Sequence, residues 1–149
     1  MIASDKIKEL RDKTDVSIMV CKKALEKADG DIEKAMLVLR EEGVKIAEKK
    51  SERALKAGVV ESYIHSTKQV GVMVEVRCET DFVARNEEFQ KFAHNIAMHI
   101  AAANPEDAEE LARQDYIKKP EITIEEYVKD NIQKFGENIE ISQFARYKV

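Results

Sequence analysis

Between Val70 and Glu79 the chain alternates without a break, with Val70, Val72, Val74, Val76 and Cys78 on one side and Gly71, Met73, Glu75, Arg77 and Glu79 on the other. A period of two over that length points to a half-buried strand, because successive side chains of an extended chain face opposite ways. From Phe89 the period changes. Phe89, Phe92, Ala93, Ile96, Ala97 and Ile100 recur at helical spacing and line one face of an α-helix. Thr80 to Arg85 must therefore carry the chain from a strand into a helix. Asn86 is placed to cap that helix, and Glu87 and Glu88 suit the positive end of its dipole. Phe82 lies in the bridge beside Asp81 and fits neither pattern. Two positions are open to it: folded back as a core plug, or held outward as an aromatic-plus-acid tip that enters a partner.

The strand acquires neighbours on both sides. Val59 to His65 reads as a strand, Ser66 to Gln69 as a turn, and Val70 to Glu79 as the antiparallel return. Asn104-Pro105 forbids the long helix from passing Ala103. A polar helix is expected from Pro105 to about Gln114, then an irregular stretch at Tyr116 to Pro120. Thr123-Ile124-Glu125-Glu126 is a capping box for a helix carrying Tyr127, Val128, Ile132 and Phe135, stopped by Gly136. Ile139, Ile141, Gln143, Ala145 and Tyr147 alternate along a last strand expected to pair with the hairpin.

The N-terminal stretch has a different texture. Ser4 is placed to cap a first helix with Ile7 and Leu10 inward, which Thr14-Asp15 breaks. A second helix carries Ile18, Cys21, Leu25 and Ala28 on one face. Gly30 stops it and Asp31 caps a third, with Ile32, Ala35, Met36 and Leu39 inward and Gly43 as its end. Three short helices around one small core resemble a ubiquitin-associated bundle. Glu41 to Lys56 then mixes charges, with Glu41–Lys45 and Glu52–Lys56 spaced as favourable pairs. Lys45, Lys49, Lys50 and Arg53 interleave with Glu41, Glu42, Glu48 and Glu52, which reads as a solvated linker helix rather than a nucleic-acid surface. The expected fold class is α+β: a three-helix module over 1–43, a charged linker helix over 44–57, and a core domain over 58–149 with a three-stranded antiparallel sheet packed by helices.

Charge and composition narrow the function classes. A net charge of −4, from 25 basic and 29 acidic residues well mixed, is a poor footprint for phosphate backbones. No apolar run is long enough to cross a membrane. The start of the chain opens directly into a charged helical pattern, and the two cysteines, Cys21 and Cys78, lie far apart among apolar neighbours. Buried free thiols and a cytoplasmic setting are expected.

A search for chemistry finds no constellation. His94 and His99 are five apart on one helix, hence about 140° apart around it, which is wrong for a shared metal. His65 with Cys78 could suggest a thiol nucleophile, but no glycine-rich elbow or orienting group accompanies them. Five glycines, none in a phosphate-cradling pattern, argue against the chain binding a nucleotide itself. The chain therefore does not read as an enzyme, and no cofactor or metal is expected.

Cys78-Glu79-Thr80-Asp81-Phe82-Val83-Ala84-Arg85-Asn86-Glu87-Glu88-Phe89 resembles the signature of the elongation factor Ts family, the exchange factors of the GTPase elongation factor Tu. Thr14 to Leu25 is similar to that family's N-terminal signature, with Asp15 and Ser17 where glycines are usual and Val20 where an acid is usual. Tyr116-Ile117-Lys118, Gly136-Glu137-Asn138-Ile139 and Phe144-Ala145-Arg146-Tyr147 resemble its core segments. The resemblance implies that Asp81 and Phe82, with Val83 beside them, enter the GTPase near its magnesium site. It implies a second contact through Ile18, Met19 and Lys22, although periodicity alone allows Met19 to be peripheral packing. It extends to His65 and to Phe135-Gly136, which match contact positions in the second core half of long members. A structural role for His65 stays equally open. Long members carry two core halves and this chain has room for one, so the resemblance to short members implies a homodimer through the core domain. The alternative is a ubiquitin-associated-type peptide-binding or scaffold protein working through its N-terminal module.

Overall fold

Val70–Cys78 forms the central strand, β2, of a three-stranded antiparallel sheet in the computed structural model, which describes residues 1–50 and 54–149, with 46–50 as backbone only. The structure divides into two units, Met1–Ser51 with Lys129–Glu137, and Glu52–Val128 with Asn138–Val149.

In the first unit, α1 (Ser4–Thr14), α2 (Ile18–Lys27) and α3 (Ile32–Lys50) enclose Leu10, Val16, Cys21, Ala24, Leu25, Ala28, Ala35 and Leu39. Asp15 turns the chain in the left-handed region (φ 55°), and Ser17 accepts the Val20 N–H to cap α2. Asp31 accepts the Lys34 N–H at 2.9 Å and caps α3, as its position suggested. Ser4 does not cap α1; Ala3 holds that place without a side-chain bond.

Gly43 does not end α3, which runs on to Lys50. A Cβ at Gly43 would stand 3.1 Å from the Lys129 carbonyl oxygen and 3.3 Å from Gln133 Cβ. The glycine serves a close helix approach within the unit rather than a stop. Nearby, the Arg40 guanidinium meets both Asp130 carboxylate oxygens at 3.3 and 3.4 Å. The side chains of Glu48, Lys49 and Lys50, and residues Glu52 and Arg53 with the expected Glu52–Lys56 pair, lie outside the described residues.

In the second unit, β1 (Ala57–Ile64) pairs with β2 from Ala57↔Cys78 to Ile64↔Gly71, and β5 (Glu140–Lys148) pairs with β2 on its other side. The last strand pairs with the hairpin as expected, and it does so along β2, which gives the order β1-β2-β5. Helix α5 (Glu87–Ala103) lays Phe89, Phe92, Ala93, Ile96, Ala97 and Ile100 inward, and these side chains are buried along with Val72, Val74 and Val76 of the sheet. The Arg146 guanidinium donates to the Ala101 carbonyl at 3.1 and 3.0 Å, tying β5 to the last turn of α5.

The connection after α5 differs from expectation. The polar helix α6 covers only Ala108–Arg113, because Asp107 caps it through the Glu110 N–H. The stretch expected to be irregular is a small hairpin, β3 (Asp115–Tyr116) with β4 (Lys119–Thr123). Thr123 then caps α7 (Ile124–Phe135) by accepting the Glu126 N–H at 3.2 Å. Tyr116 stacks on Tyr127 with ring centroids 4.2 Å apart, which fixes the hairpin to the start of α7.

The other face of the sheet carries Val60, Ile64, Met73 and Tyr147, exposed by 57–75%. The polar groups among them bond one another: the Glu75 carboxylate accepts from Gln143 at 2.6 Å and from Arg77. Those bonds, Gln143 first, hold Glu75 at about 2. Among the described residues no helix is long and apolar enough to cross a membrane.

Candidate partner-binding site

Beyond Cys78 the chain leaves β2 and makes a single helical turn, α4 (Asp81–Ala84). Thr80, extended at φ −129° and ψ 152°, starts that turn by accepting the Val83 N–H on its hydroxyl at 3.3 Å. The Ala84 and Arg85 N–H groups close onto the carbonyls of Thr80 and Asp81 at 3.2 and 3.0 Å. Asn86 then accepts the Glu88 N–H at 2.8 Å and begins α5. Two consecutive caps, the one at Asn86 as expected, thus build the bridge from strand to helix.

One side of α4 is anchored and the other is open. Val83 and Ala84 are 6% and 5% exposed, whereas the Phe82 ring is 86% exposed and Asp81 stands in solvent beside it. Of the two positions open to Phe82, the outward one is realised. An isolated exposed apolar residue is ordinary. Here the ring sits on a turn whose neighbours are buried and whose amides are bonded, so it is presented rather than dangling.

The root of the turn is held from two directions. The Cys78 thiol, fully buried, donates to the Thr80 carbonyl at 3.3 Å. The Glu79 carboxylate accepts the backbone N–H of Asn138, 59 residues further along, at 2.8 Å. Sequence reading missed both Thr80 and Glu79. The Thr80-Asp81 pair carried a cap signal, a hydroxyl followed by an acid in the first turn, but nothing local marks the bond from Glu79.

The remaining candidates fall into separate groups. Ile18 and Met19 are 56% and 68% exposed in the first turn of α2, with Lys22 exposed one turn on. Ile18 is therefore not on the core face. Val16, 5% exposed, takes that place just before the Ser17 cap, and the Cys21 thiol donates back to the Val16 carbonyl at 3.5 Å. An apolar residue before the cap packing on the fourth helical position is a hydrophobic staple, and it displaces Ile18 outward.

His65 lies exposed just beyond β1, its Nδ1 3.1 Å from the Tyr63 hydroxyl. It flanks an apolar cavity of about 390 Å³ with Val70, Met98 and Ile117. Register places His65 and Cys78 at opposite ends of the hairpin, which removes them as a thiol–imidazole pair. The same register separates Phe82 from His65 by roughly 23 Å of strand. Phe135 is half-buried at the end of α7, and Gly136 follows it in the left-handed region (φ 68°); both belong to the other unit. Both cysteines are free and buried, as expected. Among the described residues, no three histidine, cysteine or acidic side chains cluster to hold a metal ion.

Known proteins resemble the chain over its whole length. The profile of the family described as Elongation factor TS matches residues 79–149. Elongation factor Ts of Desulfotalea psychrophila is 40% identical over 193 aligned positions, covering 99% of this chain and 98% of that protein. The protein of the same name from Carboxydothermus hydrogenoformans is 38% identical, covering 100% of this chain and 89% of its own. The chloroplastic elongation factor Ts of Rhodomonas salina is 40% identical, with coverage of 99% and 89%. An alignment of 193 positions exceeds the 149 residues here, so the relative carries stretches with no counterpart in this chain.

Proposed function

The chain belongs to the elongation factor Ts family of translation elongation factors, and from that premise we propose that it promotes GDP release from elongation factor Tu by inserting Asp81 and Phe82 beside the GTPase's magnesium and phosphate site. The observation that carries this reading is the Phe82 ring, 86% exposed on an anchored turn.

Exchange is a linkage problem: a factor speeds release only if it binds the nucleotide-free GTPase better than the loaded one. Burying one phenyl ring contributes roughly 1.5–3 kcal/mol. At about 1.4 kcal/mol per decade, that is a tenfold to hundredfold effect from Phe82. Asp81 opposes the magnesium-coordinating and phosphate-cradling groups by charge and by competing for their hydrogen bonds. Val83, turned inward, is the anchor of the wedge and not its edge. Because α4 is already ordered, little of the ring's burial is offset by freezing the loop.

Ile18, Met19 and Lys22 form the second contact, an apolar pair with a cation one turn away, which holds the GTPase while the wedge works. A second copy of the chain covers the open sheet face at Val60, Ile64, Met73 and Tyr147, since the polar groups there are already paired with one another and burial of the apolar ones is what remains to be gained. Within one copy the hairpin keeps Phe82 away from His65. One subunit therefore presents Asp81 and Phe82, and its partner presents His65, with Phe135-Gly136 as a further contact. Release of fluorescent GDP from elongation factor Tu, with the parent chain and with Asp81→Ala/Phe82→Ala, tests the proposal. Equal rates would overturn it.

A further inference from the structure

We propose that Glu79 and Thr80 are positioning residues that set the direction in which Asp81 and Phe82 project; the inference rests on the exchange reading above. Three observations converge on the root of α4. The Thr80 hydroxyl takes the Val83 N–H at 3.3 Å, so the turn carrying the ring starts from a fixed point. The Thr80 carbonyl accepts the thiol of Cys78, whose side chain is fully buried, at 3.3 Å. The Glu79 carboxylate holds the Asn138 N–H at 2.8 Å, joining the end of β2 to the chain just before β5. The last bond is charge-assisted and partly buried, the circumstances in which such bonds are strongest.

The geometry gives each residue a distinct task. Glu79 fixes where the strand stops with respect to a segment 59 residues distant. Thr80 fixes the angle at which the helical turn departs. Neither side chain is part of the tip, so each acts on the partner only through Phe82 and Asp81. A displacement of the order of 1 Å at a wedge is enough to lose much of its effect. That makes the root of the turn, and not only the exposed ring, a determinant of exchange.

The test is a set of paired variants of the full chain, Glu79→Ala with Glu79→Gln and Thr80→Ala with Thr80→Ser. Each is measured by fluorescent-GDP release from elongation factor Tu, by thermal melting, and by amide hydrogen exchange at Val83 and Ala84. Glu79→Ala and Thr80→Ala should each slow release by about threefold to tenfold, the scale of one lost cap or charge-assisted bond. They should also speed exchange at the Val83 and Ala84 amides. Glu79→Gln and Thr80→Ser keep an acceptor oxygen and should restore both readouts. In an Asp81→Ala/Phe82→Ala background neither substitution should slow release further, because both act through those two side chains. Slowing that persists undiminished without Asp81 and Phe82, or amides that do not respond, overturns the positioning role. If Phe82→Ala alone leaves release unchanged, the exchange reading fails, and the amide readout then decides the positioning claim by itself.

Discussion

His99 and Gln114 form a closed pair inside the second unit: His99 Nε2 stands 2.9 Å from Gln114 Oε1, while its Nδ1 accepts the Ile117 N–H at 3.3 Å. A backbone N–H can only donate, so Nδ1 is unprotonated and Nε2 carries the proton. The ring is completely buried beside Tyr116, and burial holds its pKa below the usual histidine value, with the Gln114 bond opposing in part. The unfolded chain therefore takes up a proton near pH 6.5 that the folded chain refuses. Stability is complete above that pH and is lost as pH falls through it. Melting temperature should decline from pH 7.5 to 5, and His99→Gln, less stable overall, should show a shallower decline. Equal slopes in the two proteins would remove His99 as the cause.

Phe82→Ala should slow GDP release from elongation factor Tu by about tenfold to hundredfold. Stability should change by no more than about 0.5 kcal/mol, because the ring makes no core contact to lose. Stopped-flow release and a urea titration on the same preparation separate the two effects. A large loss of stability would mean that the ring is used internally.

Met73→Glu places a charge in the middle of the open sheet face. Light scattering or sedimentation should find the parent chain as a dimer and the variant as a monomer, with melting no longer dependent on protein concentration. A parent chain that is monomeric throughout would remove the second copy from the proposal.

Gly58→Ala tests the edge of the sheet. A Cβ there would come within 2.5 Å of the Val76 carbonyl oxygen and 3.0 Å of Arg77 Cα, both backbone atoms that cannot swing aside. Destabilisation of about 1–3 kcal/mol is expected in denaturant titration. A neutral result would mean that β1 can part from β2 at Gly58 without cost.

Much of this architecture is written in local spacing. The Val72–Val74–Val76 alternation and the Phe89–Ile100 stripe each encode burial residue by residue, and the structure follows them. Readings failed where a distant or competing neighbour decided the outcome. Ile18 has the right phase for the core, but Val16 reaches the site first from outside the helix. Gly43 looks like a stop until the Lys129 carbonyl is placed beside it. The hairpin at Asp115–Thr123 is too short, and Pro120 too unfriendly to a strand, for propensity to mark it. Phe82 was ambiguous by pattern, since a ring between two periodicities can turn either way. Its outward position follows from Thr80 and Val83, a cap and an anchor on either side of it. The bond from Glu79 to Asn138 spans too much sequence for any window to see.

The hairpin of β1 and β2 is also a ruler. Its paired residues set the span between Phe82 at one end and His65 at the other. Inserting a single residue into each strand would exchange inside for outside in both strands on one side of the insertion. Adding two to each would keep every face and carry Phe82 about 7 Å farther from His65. The distance between these two points of one chain can therefore change only in steps of about 7 Å.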